Sequence, residues 1–200
     1  TNSFDSNNVQ QTTIDGGQVT LVFSGPTNSS IPTNGQDVNL MQFTITSASN
    51  VEIRNLRFTV TTTGMAGATN EKISDLKVVD TETGGTVAGP YSTDITTTTT
   101  GIVLNDTWHL SAGKSKKLKV TADVGSASGL GDDTVRITQV AFTGTDIKNV
   151  DSNTDVAAAD IVPNGIVANT HTIKAPSLEI TLSGAVTSKT LTAGSVNVDL

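Results

Sequence analysis

His109 and His171 are the only imidazoles in the chain. Each stands alone in a strand-like run, so an acid–base pair or metal centre would require the fold to bring a carboxylate to it. Serine and threonine are abundant, yet none occupies a Gly-x-Ser-x-Gly elbow, the strained turn that exposes a nucleophilic hydroxyl. Glycoside hydrolysis needs two carboxyl groups flanking one bond. Glutamate occurs only as Glu52, Glu71, Glu82 and Glu179, mostly in or beside strand-like runs or turns. The absence of cysteine removes disulfides, thiolate metal sites and cysteine nucleophiles. The chain reads as a non-enzyme, with no catalytic residue and no cofactor-binding residue assigned.

Ligand chemistry is left to the loops. Carboxylates and amides gather between Asp123 and Asp133 and between Asp151 and Asp155. Hard oxygen donors of this kind suit calcium, and Asp132 and Asp133 are the residues to test. Two features weigh against it: the loop lacks EF-hand spacing, and Asp and Asn are good turn formers in their own right. Lys114, Lys116, Lys117 and Lys119 place four of the 12 basic residues within six positions. They read either as a grip for an anionic glycan or acidic neighbour, or as lysines that blunt an edge strand, and the second is favoured. Trp108 and Tyr91 read as a sugar-stacking pair or, preferably, as a tryptophan in a sandwich core. The run Thr96 to Thr100 reads as an O-glycosylation target or an exposed connection. The sequons at Asn28 and Asn105 occur at about the frequency that so Ser/Thr-rich a chain gives by chance.

The elements that must position these residues are strands. Of 200 residues, 35% are hydrophobic and 4% aromatic, and threonine dominates while strong helix formers are scarce. The apolar residues fall in short runs of period two, separated by turn chemistry. Val19, Leu21 and Phe23 alternate up to Ser24-Gly25-Pro26. Lys117 to Val124 alternates throughout, with Leu118, Val120, Ala122 and Val124 on one face. Parity slips at Leu40/Met41, between Ile53 and Leu56, and again between Ile137 and Phe142. Such slips predict a bulge or a passage between sheets. Ile73 to Val79 and Thr86 to Tyr91 read as a hairpin across an acidic Gly-Gly link. The pattern predicts an all-β, immunoglobulin-like, two-sheet antiparallel sandwich of about seven to nine strands. Its expected core is Phe23, Phe43, Ile45, Leu56, Phe58, Val60, Leu118, Val120, Ile137 and Phe142. A net charge of −7 argues against nucleic acid as a partner. No apolar run is long enough for a membrane span, and Thr1 to Gln10 lacks signal-peptide character; if the protein is exported, its signal is expected to have been removed already.

The two ends of the chain match each other. Thr13-Ile14 falls on Thr172-Ile173, Ser24-Gly25 on Ser183-Gly184, and Thr33-Asn34-Gly35 on Thr192-Ala193-Gly194, all at an offset of 159. Between these anchors Val19, Leu21 and Phe23 fall on Leu178, Ile180 and Leu182. One inserted residue later, Val38-Asn39-Leu40 falls on Val198-Asp199-Leu200. A period of one whole domain signifies a linear array. The expected organisation is an extended segment 1–16, possible end of a preceding copy, then a sandwich domain 17–173. Residues 174–200 are then the first strands of a second copy or a strand donated to a neighbour. Leu178, Ile180, Leu182, Val196 and Val198 are the expected assembly residues. They copy a strand the domain already owns, so their apolar face needs another sandwich.

Several runs carry a family resemblance: Leu40-Met41-Gln42-Phe43-Thr44-Ile45, Val51-Glu52-Ile53-Arg54-Asn55-Leu56-Arg57-Phe58-Thr59-Val60, Ile73-Ser74-Asp75-Leu76-Lys77-Val78, and the stretch from Leu110-Ser111-Ala112-Gly113 to Ala122-Asp123-Val124. Together they resemble a module that recurs in tandem in bacterial surface-layer and surface-fibre proteins. The resemblance spans most of residues 17–173, is a pattern of strands and turns, and carries over no functional residue. It implies an immunoglobulin-like sandwich in an extracellular, cell-surface structural protein whose expected partners are copies of itself, with glycans as a second class. The alternative it leaves open is an adhesin or carbohydrate-binding module of a larger surface protein.

Overall fold

The structure, a computed structural model, describes residues 19–175. In chain order its strands begin with β1 (Val19–Gly25), β2 (Ser30–Pro32), β3 (Val38–Ser47), β4 (Val51–Ile53), β5 (Leu56–Thr63) and β6 (Ile73–Asp80). They continue with β7 (Thr86–Ala88), β8 (Thr99–Leu104), β9 (Trp108–Leu110), β10 (Lys114–Val124) and β11 (Thr134–Gln139). The last are β12 (Ile147–Asn149), β13 (Thr154–Asp155), β14 (Ile161–Val162), β15 (Ile166–Val167) and β16 (His171–Lys174). Of the long ones, β1, β3, β5, β6, β10 and β11 fall on the runs the apolar pattern marks, whereas β8 begins inside the threonine run read as an exposed connection. The remainder are bridges of two to four residues.

The strands form an all-β sandwich. One sheet has the order β14-β1-β3-β10-β6-β7, and a second has the order β2-β16-β11-β5-β8, with β15 also on β11. A third, four-stranded sheet has the order β13-β12-β4-β9, one more than the two sheets expected. Pairing is antiparallel except where β14 joins β1 and where β2 joins β16, both parallel. A single apolar core lies between the layers. It includes every expected core residue except Phe23, which packs only at its rim. The register of β1 on β3 shifts between Phe23 and Gly25, so the strand is already leaving the sheet there.

The parity slips have two different causes. At Leu40/Met41 the slip is a bulge: Val120 faces Met41 and Thr121 faces Asn39, so Leu40 has no partner on β10. Both Leu40 and Met41 are fully buried. The carbonyl the bulge releases from the ladder accepts a hydrogen bond from His171 Nε2 at 3.1 Å. A carbonyl can only accept, so this fixes the tautomer with the proton on Nε2. Nδ1 is left to accept from Ser29 Oγ at 2.9 Å. The fully buried His171 on β16 thus pins the second sheet to the bulge of the first. His171→Ala would leave that carbonyl buried without its partner. We expect a loss of roughly 2–3 kcal/mol, read from urea unfolding midpoints.

The slip between Ile53 and Leu56 is a change of sheet. β4 pairs with β9 and β12, whereas β5 pairs with β11 and β8. At this corner the amides of Arg54 and Asn55 both donate to the carbonyl of Asp146, at 2.8 and 3.3 Å. The Asp146 carboxylate is fully buried. It accepts from Arg57 Nε (2.7 Å) and Nη2 (2.9 Å), Asn55 Nδ2 (2.8 Å), and the Thr143 amide (2.7 Å) and hydroxyl (2.9 Å). One side chain therefore closes the corner through which the strand crosses.

Candidate functional site

The expected assembly residues Leu178, Ile180, Leu182, Val196 and Val198 lie outside the described residues, as does segment 1–16. The strand that leads to them is described. β16 lies between β2 and β11, with Ile173 opposite Ile31 and fully buried. Its last residue is fastened on both sides. The Lys174 carbonyl accepts the Thr33 amide at 3.0 Å, and the Lys174 ammonium pairs with Asp132. The loop 130–133 docks along the same strand, Asp132 N donating to Ile173 O (2.8 Å) and Ile173 N to Asp133 O (2.7 Å).

The two aspartates singled out for calcium have different surroundings. Asp132 is exposed, left-handed (φ 72°) and engaged with Lys174. The adjacent Asp133 is buried at 8% exposure, and its carboxylate has no hydrogen-bonding partner among the described residues. Burial pushes its carboxyl above the usual range, and the nearby charges of Glu71 and Asp132 add to this. Glu71, on a separate loop, is also buried.

The lysines do not blunt an edge. β10 lies inside its sheet between β3 and β6, so the edge-strand expectation is corrected. Alternation also splits them: Lys117 and Lys119 take the parity opposite to Leu118 and Val120, whereas Lys116 shares that of the core residues. Lys116 reaches the buried Asp80 at 2.6 Å and lies 5.8 Å from the centre of the Trp108 ring. Its hydrogen bond is the main reason that the Asp80 carboxyl sits below its ordinary value. Trp108 is half-buried at the rim of the core rather than central to it. His109 is exposed, 3.5 Å from Glu52, and far in character from the buried His171. The Thr96 to Thr100 run feeds the sheet-edge strand β8, with the Thr98 hydroxyl donating to Thr62 O.

A polar hollow on the outer face of the first sheet was not legible in the sequence. It measures about 250 Å³ and is lined by Asp37, Lys77, Lys119, Thr121, Thr86 and their neighbours. Asp37, Asp75 and Asp123 bring carboxylate oxygens within 4.8 Å of one another, the one such trio among the described residues. The cation already there is Lys77, which donates to Asp37 at 2.7 Å and Asp75 at 2.5 Å. Those two hydrogen bonds raise the Lys77 ammonium above its ordinary range, so it stays charged. Asp37 and Asp75 have left-handed backbone, φ 50° and 54°, a conformation Asp tolerates better than most residues. Asp75 lies in the irregular stretch of β6 where pairing to β10 shifts register, and this brings its side chain to Lys77 two residues on. Lys77→Met leaves three carboxylates facing one another. It is expected to lower stability by about 1–2 kcal/mol at low salt, less at high salt, in paired urea titrations.

The arrangement is one of strand ends, charge clamps and fastened loops. No protein-family model matches the chain, and no curated protein matches it.

Proposed function

We propose that this chain is a structural subunit or repeat of an extracellular filament or surface layer, in which immunoglobulin-like sandwich domains succeed one another end to end. The observation that carries the reading is an agreement of lengths. The sequence repeats at an offset of 159. From Val19, where β1 begins, to Lys174, where β16 ends, there are 174 − 19 + 1 = 156 residues. The described sandwich thus fits within one period and leaves 159 − 156 = 3 positions, Ala175, Pro176 and Ser177, before the second copy of the β1 sequence. Leu178 then stands where Val19 stands, at the first position of β1. Within the domain that position is filled, since β1 is paired on both sides, by β3 and by β14. A second β1-like segment is accommodated by another sandwich, folded in tandem or completed by an adjoining chain.

A glycan-binding role draws less support. The Trp108 ring carries the Lys116 ammonium near one face, and no second aromatic is stacked with it among the described residues.

The test compares the full chain with a chain ending at Lys174, by electron microscopy and sedimentation. The shortened chain is expected to keep its β-sheet circular dichroism and cooperative melt while losing end-to-end assembly. Equal assembly by both chains, or none by either, would count against the proposal.

A further inference from the structure

We propose that Glu71 and Asp133 together form a binding site for a hard divalent cation, calcium being the ion the donors fit, at the pole of the sandwich where β16 leaves the domain. Glu71 Oε2 is committed, accepting the amides of Ala66 at 2.7 Å and Ala68 at 3.2 Å. Its Oε1 has no hydrogen-bonding partner among the described residues, and neither does either oxygen of the Asp133 carboxylate. Asp133 Oδ2 is buried and unpartnered. Neither acid is paired with a lysine, arginine or histidine there, although every other buried carboxylate described, Asp80 and Asp146, holds a basic side chain.

Space is kept for these oxygens. A Cβ on Gly64 would lie 1.8 Å from Asp133 Oδ1, and one on Gly129 would lie 2.7 Å from Glu71 Oε1. Gly64 also has φ +100°, which a side chain would strain. Two loops distant in sequence therefore each supply a carboxylate and a glycine that makes room for the other loop's carboxylate. Two buried like charges without a counter-charge are unfavourable, and a cation between them removes the conflict. Calcium takes six to eight oxygens in a flexible geometry, so the two carboxylates can be completed by water and main-chain carbonyls. The trio Asp37, Asp75 and Asp123 does not compete as a site, because Lys77 already neutralises it. Asp133 joins β16 through its main chain, so an ion held here would also brace the exit strand. The site does not depend on whether chains polymerise.

The experiment is titration of the full chain with calcium chloride, followed by calorimetry and thermal unfolding, with magnesium chloride as comparator. Binding of one ion per domain is expected, with a dissociation constant on the order of 10⁻⁴–10⁻³ M. Saturation at about a hundredfold excess over that constant should raise Tm by roughly 5–10 °C. Asp133→Asn and Glu71→Gln should each weaken binding at least about tenfold and erase the Tm shift. Calcium-free circular dichroism and melting of these variants report separately that they fold. Asp75→Asn should leave the binding intact. The proposal is overturned by an unchanged calcium response in Asp133→Asn, by loss of the response in Asp75→Asn alone, or by stabilisation of the calcium-free wild type on acidification with no response to calcium. The last result would identify a proton as the missing counter-charge.

Discussion

Asp146→Ala is expected to destabilise the domain by roughly 3–5 kcal/mol, measured as a shift in urea midpoint at neutral pH. The side chain it removes is fully buried and receives five hydrogen bonds, two of them from the Arg57 guanidinium. What remains is a charged group at the crossover from β4 to β5 without its counter-ion. The Arg57 side chain is 30% exposed, so water recovers part of the loss and the lower half of the range is expected. The pH dependence follows from the same geometry. Burial alone would raise the Asp146 carboxyl, but the Arg57, Thr143 and Asn55 hydrogen bonds outweigh it and hold it at about 2, against an ordinary 3.8. A depressed carboxyl stabilises the fold fully above its unfolded value. It gives that stability up as pH falls from about 4 towards 2. The share at stake is about 2 kcal/mol. Asp146→Asn should flatten that segment of the stability–pH curve, and an unaltered curve would contradict the assignment.

Phe58→Ala should cost a similar amount, roughly 3–5 kcal/mol, with a fall in Tm of roughly 6–20 °C. Phe58 is fully buried in β5, opposite Gln139 on β11 and Ile102 on β8. Paired on both sides, β5 has little freedom to collapse into the space the ring leaves. That places the site near the severe end for aromatic truncation. Phe23→Ala is the contrast: its ring lies at the rim, and its loss should be clearly the smaller of the two. Equal effects at the two positions would mean that burial in the sandwich is not what sets the penalty.

What the sequence determined by itself is periodic and local. Alternation along Lys117 to Val124 identified the inward face of β10, because a pleated strand sends successive side chains to opposite sides. The same rule exposed irregularities at Leu40/Met41 and between Ile53 and Leu56, because a break that displaces a strand by an odd number of residues shows as a parity slip. The offset of 159 is also pure sequence. What alternation lacks is any record of which strand lies beside which. The slip at Leu40 turned out to be a bulge and that after Ile53 a change of sheet, and only the pairing of β3, β4 and β5 separates these two. The lysine run looked like edge protection because edge and interior strands share one alternation. The position of β10 between β3 and β6 decided the matter. Arg57 with Asp146 and Lys77 with Asp37 are partners across 89 and 40 positions. Each is an ordinary polar residue in its own loop or strand. Chain reversal and sheet packing alone bring them to hydrogen-bonding or charge-coupling range, because sequence patterning specifies which side faces the core but leaves the pairing of distant charges to the three-dimensional fold.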